Sequence, residues 1–321
     1  MAKETKSKSA QKVKTTKTAV AKKTAAVQES MGRYINPLTD FGFKRIFGTK
    51  EFLIDFLNAV LFLGGNIVDL HYDNPERPGR SDDDRTTIFD LYCTLKNGER
   101  IIIEMQNHTQ EFFRDRTLYY ASRLIQEQGE DKTGKDWDFK LNSVYSVNIA
   151  NFRLDKKKRK NTGKYASYVQ LIDVETREVF YKKLIFAFFE LPRFNKEEHQ
   201  LENSIDTWMY VLKNLAKLDN LPETLRNRIF ERLFLKAEIA KLTKEDRKEY
   251  DQSLKNLSDM NIILADRDRI IADRDGKIAA QAATIAEYER RFGVLNGTTS
   301  PTPKTRLVRA RSSAKSKGVC Q

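Results

Sequence analysis

The chain has 321 residues, 58 Lys and Arg against 45 Asp and Glu, a net charge of +13 and two cysteines. That length allows one sizeable core plus appendages, and the lone cysteines (Cys93 in an apolar run, Cys320 near the end) exclude a disulfide framework or thiolate-ligand spacing. No apolar run approaches the ~20 residues of a membrane span, so no membrane association is expected, and a reducing, cytoplasmic compartment fits.

The charge is unevenly spread. Residues 1–30 carry eight Lys and two Glu, residues 298–321 carry three Lys and three Arg without an acid, and the stretch between is close to neutral. Tails of this kind stay solvated and suit contact with a polyanion such as DNA, with plain solubilisation as the alternative. The N-terminus lacks a signal-peptide core. Met31 opens a segment of different composition, either an internal start or the point where folding begins.

In chain order, Asp40 stands before FKRIFG as the N-cap of a short helix. A second helix spans Lys50–Phe62, with Phe52, Leu53, Phe56, Leu57, Val60 and Leu61 on one face, and ends at Gly64-Gly65. Residues 66–73 read as a strand and 73–85 as a polar loop. Two strands follow within 87–106, then a helix over 110–129 whose apolar side holds Phe113, Leu118, Ala121, Leu124 and Ile125. Strands are expected over 144–152, 165–174 and 179–191, with helices over Ser204–Leu218 and Pro222–Leu242, the latter with Pro early in its first turn.

From 244 to 292 an apolar residue recurs every seven: Tyr250, Leu257, Leu264, Ile271, Ile278, Ile285 and Phe292. This is coiled-coil periodicity. The companion positions are poor (Asn261, Asp268, Asp275, Ala282, Glu289), so a long helix stabilised by self-association is expected, with a lone solvated helix as the alternative. The resulting division is a basic tail over 1–32, a main domain over 33–191, a helical extension over 192–243, a coiled coil over 244–293 and a second basic tail from 294.

The chemistry concentrates in TIFDLYCTLKNGERIIIEMQ, residues 87–106. Asp90 and Glu104 each sit inside an apolar run, where a carboxylate is costly unless it is paired or holds a metal. Their geometry depends on the turn. A two-residue turn at Asn97-Gly98 would place them on opposite faces. A three-residue loop, Lys96-Asn97-Gly98, with Gly98 left-handed, makes paired residues sum to 194 and sets Asp90 opposite Glu104, their Cβ atoms about 4.5–5.5 Å apart. Gln106 then shares their face. Two carboxylates and the backbone carbonyl of Met105 suit a hard divalent cation such as Mg²⁺, which would acidify a bound water and polarise a phosphate. Gln106 would orient water or donate to a phosphate oxygen. The alternative is a structural hairpin whose acids are satisfied by arginines. Arg116, Tyr120 and Arg123 share one helical face and would grip phosphate, or else pair with the two acids. Lys156, Lys157, Lys158, Arg159 and Lys160 form a basic loop suited to phosphates or merely to solvent. His71, His108 and His199 show no ligand spacing.

The D-(x)13-E-x-Q pattern does not stand alone. Together with NPLTDFGFKRIFG (36–48), FLIDFLNAVL (52–61), TIFDLYC (87–93), FFRDRTLYYASRLIQEQG (112–129) and NSVYSVNIANF (142–152), it resembles the PD-(D/E)XK nuclease superfamily. The likeness is to the branch of PD-(D/E)XK nuclease family transposases, or Rpn recombination-promoting nucleases, closely over about 33–155 and loosely over 156–240. It implies a restriction-endonuclease-like αβββαβ core, a mixed sheet flanked by helices, cutting DNA with Mg²⁺. It assigns the first acid to Asp90, the second to Glu104 and the usual Lys position to Gln106. Phe89 stands where the family name has Pro. Asp40 matches a recurrent position, as a third acid or as a helix cap. The expected function is a metal-dependent DNA endonuclease, homo-oligomeric through 244–293. The alternatives are a catalytically weak DNA-binding or scaffold protein, or a growth-arresting or phage-defence nuclease.

Overall fold

The computed structural model describes residues 32–61, 67–77, 87–130, 138–155 and 164–293. The basic tails, Gly64-Gly65 and the basic loop Lys156–Lys160 lie outside the described residues. The chain divides into two units after Ser258.

The first unit is built on a six-stranded mixed sheet. Its elements are α1 (Asp40–Phe47), α2 (Lys50–Val60), β1 (Leu70–Tyr72), β2 (Glu76–Arg77), β3 (Thr87–Ile88), β4 (Leu91–Leu95), β5 (Arg100–Gln106), α3 (Phe113–Glu130), β6 (Val144–Ala150), β7 (Ala166–Ile172), β8 (Val179–Glu190), α4 (Ser204–Asn214) and α5 (Arg228–Ala237), followed by the first turns of α6 (Lys244–Phe292). The sheet order is β1-β4-β5-β6-β8-β7. The β1/β4, β4/β5 and β7/β8 pairs are antiparallel, and β5/β6 and β6/β8 are parallel. The expected αβββαβ order is present as α1, then β1, β4 and β5, then α3 and β6.

β5 and β6 are the central strands. Ile101, Ile102, Ile103, Val147 and Ile149 are fully buried because helices cover both faces. On one face Ile101, Ile103, Met105, Val147 and Phe189 pack with α1, α2, α4 and α5. An aromatic group knits those helices: Trp208 lies 5.7 Å from Phe47, 5.4 Å from Phe56 and 5.1 Å from Phe230, ring centre to ring centre. Its indole N–H donates to Asp55 at 2.8 Å, so the buried polar atom is satisfied. On the other face Ile102, Val144, Ala150 and Phe188 meet Phe113, Ala121 and Leu124 of α3.

Several element boundaries differ from the sequence expectation. Thr39, not Asp40, caps α1: its hydroxyl accepts the Gly42 N–H at 3.0 Å. α2 ends at Val60, and β1 is three residues long. The strand expected from Thr87 is broken at Phe89-Asp90: the Phe89 N–H donates to the Pro75 carbonyl, and β3 pairs with β2 in a separate ladder. In α3 the buried stripe is Phe113, Thr117, Ala121, Leu124 and Gln128, one residue off Leu118, which is exposed. The helix expected from Pro222 resolves into a one-turn 3₁₀ segment, Glu223–Leu225, and α5, which is capped by Asn227. β7 is an edge strand with an irregular register and exposed Val169, Leu171 and Ile172.

The second unit, from Asp259, is helical to Phe292. Its heptad residues Ile271, Ile278, Ile285 and Phe292 are exposed. The first residue of that heptad series, Tyr250, is buried in the first unit instead.

Candidate active site

The turn between β4 and β5 sets the geometry. The pairs Leu91↔Ile103, Tyr92↔Ile102, Cys93↔Ile101 and Thr94↔Arg100 sum to 194, the register of a three-residue loop. Gly98 takes φ +80°, the left-handed conformation that glycine adopts without strain, and its N–H closes the loop on the Leu95 carbonyl at 2.9 Å. Asp90 lies at a bend just before β4, level with Glu104. Two hydrogen bonds cross between Asp90 and the end of β5. The Asp90 backbone N–H donates to Glu104 Oε1 at 3.2 Å, and the Met105 N–H donates to Asp90 Oδ2 at 2.7 Å. Asp90 thus takes with its side chain a ladder position that a strand carbonyl would fill, which is why the strand bends there. In an extended strand the N–H and C=O of one residue point to the same side, so the Met105 carbonyl is directed toward the Asp90 edge.

α3 packs antiparallel to β5 on this face. Arg100, at the start of β5, pairs with Glu127 at 3.2 Å, and Glu104, near its end, pairs with Arg116 at 2.8 Å. Arg116 also donates to Gln110 Oε1 at 2.8 Å, and Gln110 Nε2 donates to Gln106 Oε1 at 3.2 Å. A chain of polar contacts therefore links Glu104, Arg116, Gln110 and Gln106. With its oxygen engaged, Gln106 presents its amide N–H₂ as the group left to donate. The Arg116 guanidinium lies 5.1 Å from the Tyr120 ring centre, and Tyr120 packs edge-on against Phe89 at 5.2 Å, which anchors the residue before Asp90. Arg123 donates to Gln126 on its own helix at 3.4 Å.

Asp40, the first residue of α1, pairs with Lys44 at 2.9 Å and is largely exposed. Its charge nevertheless acts on Asp90. The segment before it touches the end of β5, where Asn107 Nδ2 donates to the Leu38 carbonyl at 2.6 Å.

Burial dominates the electrostatics. The Glu104 side chain is 2 % exposed. Burial, then the charge of Asp90, push its carboxyl up to about 7 despite the opposing pull of Arg116. Burial also raises Asp90, with the Asp40 charge adding to it, while the Met105 N–H, Arg116 and Lys44 pull the other way. Two carboxylates that resist ionisation together, contacted by one guanidinium, form a pocket that a further cation would stabilise. Among the described residues no three His, Cys, Asp or Glu side chains converge as a metal cluster. An ion here would therefore be held by Asp90 and Glu104 with backbone or water oxygens, a donor set that fits a hard divalent cation.

The structure brings Asp90, Glu104, Gln106, Arg116 and Tyr120 together and places Asp40 at the margin. Three residues absent from the sequence reading belong to the same surroundings: Gln110, Asn107 and Asn148, which pairs with Glu104 in the β5/β6 register and whose buried Oδ1 accepts no hydrogen bond. Position next to the E-x-Q motif would have flagged Asn107. The other two depend on packing between distant elements.

No curated protein and no solved structure matches the chain. Residues 37–267, well over half of the chain, match the model of one protein family, and that span contains the Asp90–Glu104 hairpin, α3 and both flanking helical layers. The chain belongs to the PD-(D/E)XK nuclease family transposases, and with that family comes a nuclease-type function.

Proposed function

We propose that the protein is a Mg²⁺-dependent DNA endonuclease of the recombination-promoting type, hydrolysing phosphodiester bonds. The observation that carries this reading is the crossed pair of hydrogen bonds, Asp90 N–H to the Glu104 carboxylate and Met105 N–H to the Asp90 carboxylate, which brings a buried and a half-buried acid together at the end of the central strand. Asp90, Glu104 and the Met105 carbonyl would hold the ion. A hard divalent cation there supplies Lewis acidity toward the phosphate and lowers the pKa of water.

The remaining work falls to the chain's own residues. The Gln106 amide donates to a phosphate oxygen or orients the attacking water, held in place by Gln110. Arg116 supplies the positive charge that a strand lysine would otherwise bring, and Tyr120 keeps its guanidinium plane fixed. Arg123, the basic loop Lys156–Lys160 and the two tails add sequence-independent contacts to the DNA backbone. Asp40 contributes negative charge at the edge of the site.

The test is incubation of the purified protein with supercoiled plasmid and Mg²⁺, beside Asp90→Ala and Glu104→Ala. The parent is expected to nick the plasmid and both variants to fall to background. Cleavage that survives both substitutions would sink the assignment. A second reading, a DNA-binding scaffold with little catalysis, is favoured by one feature. Gln106 cannot carry charge or act as a base, and its oxygen is already bound to Gln110. That reading requires DNA binding by the parent without nicking at any Mg²⁺ concentration.

A further inference from the structure

The long helix α6 has one buried residue, Tyr250. Its hydroxyl accepts the Asn36 N–H at 2.8 Å, and its ring packs against Phe41 with centres 5.7 Å apart. One turn on, Ser253 Oγ accepts the Phe41 N–H at 3.2 Å. Asp246, one turn before, pairs with Arg45 at 2.9 Å. The first turns of α6 therefore grip both ends of the turn 36–41.

That turn is tightly closed on itself. Asn36 Oδ1 accepts the Leu38 N–H at 2.9 Å, and Thr39 Oγ1 donates to the Asn36 carbonyl at 2.8 Å. A Cβ at Gly42 would stand 2.0 Å from the Asn36 carbonyl oxygen, so no other residue fits there. The turn meets the candidate site at the Leu38 carbonyl, which accepts the side chain of Asn107, directly after Gln106. A groove of about 640 Å³ runs between α1 and α6, with Asp40 and Lys44 lining it on one side and Gln252, Ser253 and Asn256 on the other. With the Asp246–Arg45 pair, the two hydroxyl contacts bridge α6 to the turn and to α1. Each satisfies a backbone N–H that a rotation of the turn would leave unmade at a cost.

We infer that Tyr250 and Ser253 are positioning residues of the candidate site: from the C-terminal helix they fix the turn 36–41, and through it the placement of Asn107 behind Gln106. This rests on the nuclease reading above. It makes the first turns of α6 part of the catalytic unit, in keeping with a family match that runs on to residue 267.

The test uses the full-length chain. Tyr250→Phe keeps the ring and removes the hydroxyl, and Ser253→Ala removes the second acceptor. In the double variant, turnover at saturating DNA and Mg²⁺ is expected to fall on the order of tenfold, with KM for DNA little changed, as for residues that orient a metal site from behind. Its loss combined with that of Asn107→Ala should be less than additive, because both act through one placement. Hydrogen exchange supplies a readout independent of activity: amides in 36–41 and also in 104–107 should exchange faster in the double variant. Parental turnover, or faster exchange confined to 36–41, overturns the inference. If the parent does not cut DNA, the nuclease reading fails, and exchange at 104–107 still decides the coupling.

Discussion

Glu104 is the residue on which stability and chemistry meet. Burial, and then the charge of Asp90, push its carboxyl from the ordinary 4.5 up to about 7. Between those values the unfolded chain holds fewer protons than the folded one, so stability falls as pH rises through the window, by up to ~1.4 kcal/mol per pH unit. Glu104→Gln removes this slope. In EDTA the variant is expected to melt above the parent at mildly alkaline pH and not above it at pH near 4.5. Parallel melting-versus-pH curves for the two proteins would contradict the assignment. The same residue shows how far the sequence could be read. An acid between Ile103 and Met105 is visible in any listing of the chain, and so is the need for a partner. That the partner is Arg116, reached through α3 lying back along β5, follows from packing that local pattern does not encode. Gln110 was invisible for the same reason: its importance lies in bridging Arg116 and Gln106 across a loop.

At the scale of elements, the β4–β5 hairpin was legible because turn chemistry is local. Gly98 has the one conformation that makes a three-residue loop, and the loop sets every pair downstream. Deleting Gly98 would shift the register by one and turn Glu104 toward the other face. The deletion is expected to abolish plasmid nicking and lower the melting temperature, and a deletion variant that cuts like the parent would show that the register does not control the site. The bend at Asp90 was not legible. It arises because Phe89 bonds to Pro75 and because the Asp90 carboxylate takes the Met105 N–H, both decided by residues at least 14 positions away. The cap of α1 was misplaced by one residue for a smaller reason: Thr39 and Asp40 both have capping side chains, and the tight approach of Gly42 to Asn36 selects Thr39.

For the whole molecule, charge and periodicity were readable, and their use is a matter for solution experiments. Removing residues 1–30 and 298–321 takes away a net +12, the +6 of each end. The salt dependence of DNA affinity should flatten while Mg²⁺-dependent nicking persists. An unchanged slope of affinity against salt would mean that the ends do not touch DNA. Ile271 and Ile278 stand 47 % and 61 % exposed along the second unit. If they form a seam between copies, Ile271→Glu with Ile278→Glu should convert a concentration-dependent oligomer into a monomer in sedimentation equilibrium. A parent that is monomeric at all concentrations would rule the seam out.

The hydrogen bond between Asn36 and Tyr250 joins residues 214 positions apart. At a ribosomal pace of ~5–20 residues per second, roughly 10–40 s separate the synthesis of the two. During that interval the hairpin and its two carboxylates have already left the exit tunnel, while the turn that carries Asp40 still lacks the tyrosine that holds it. The order of synthesis thus places completion of this site well after its acids have been made, and a chain that stops before Tyr250 carries both acids but lacks the residue that closes their supporting turn.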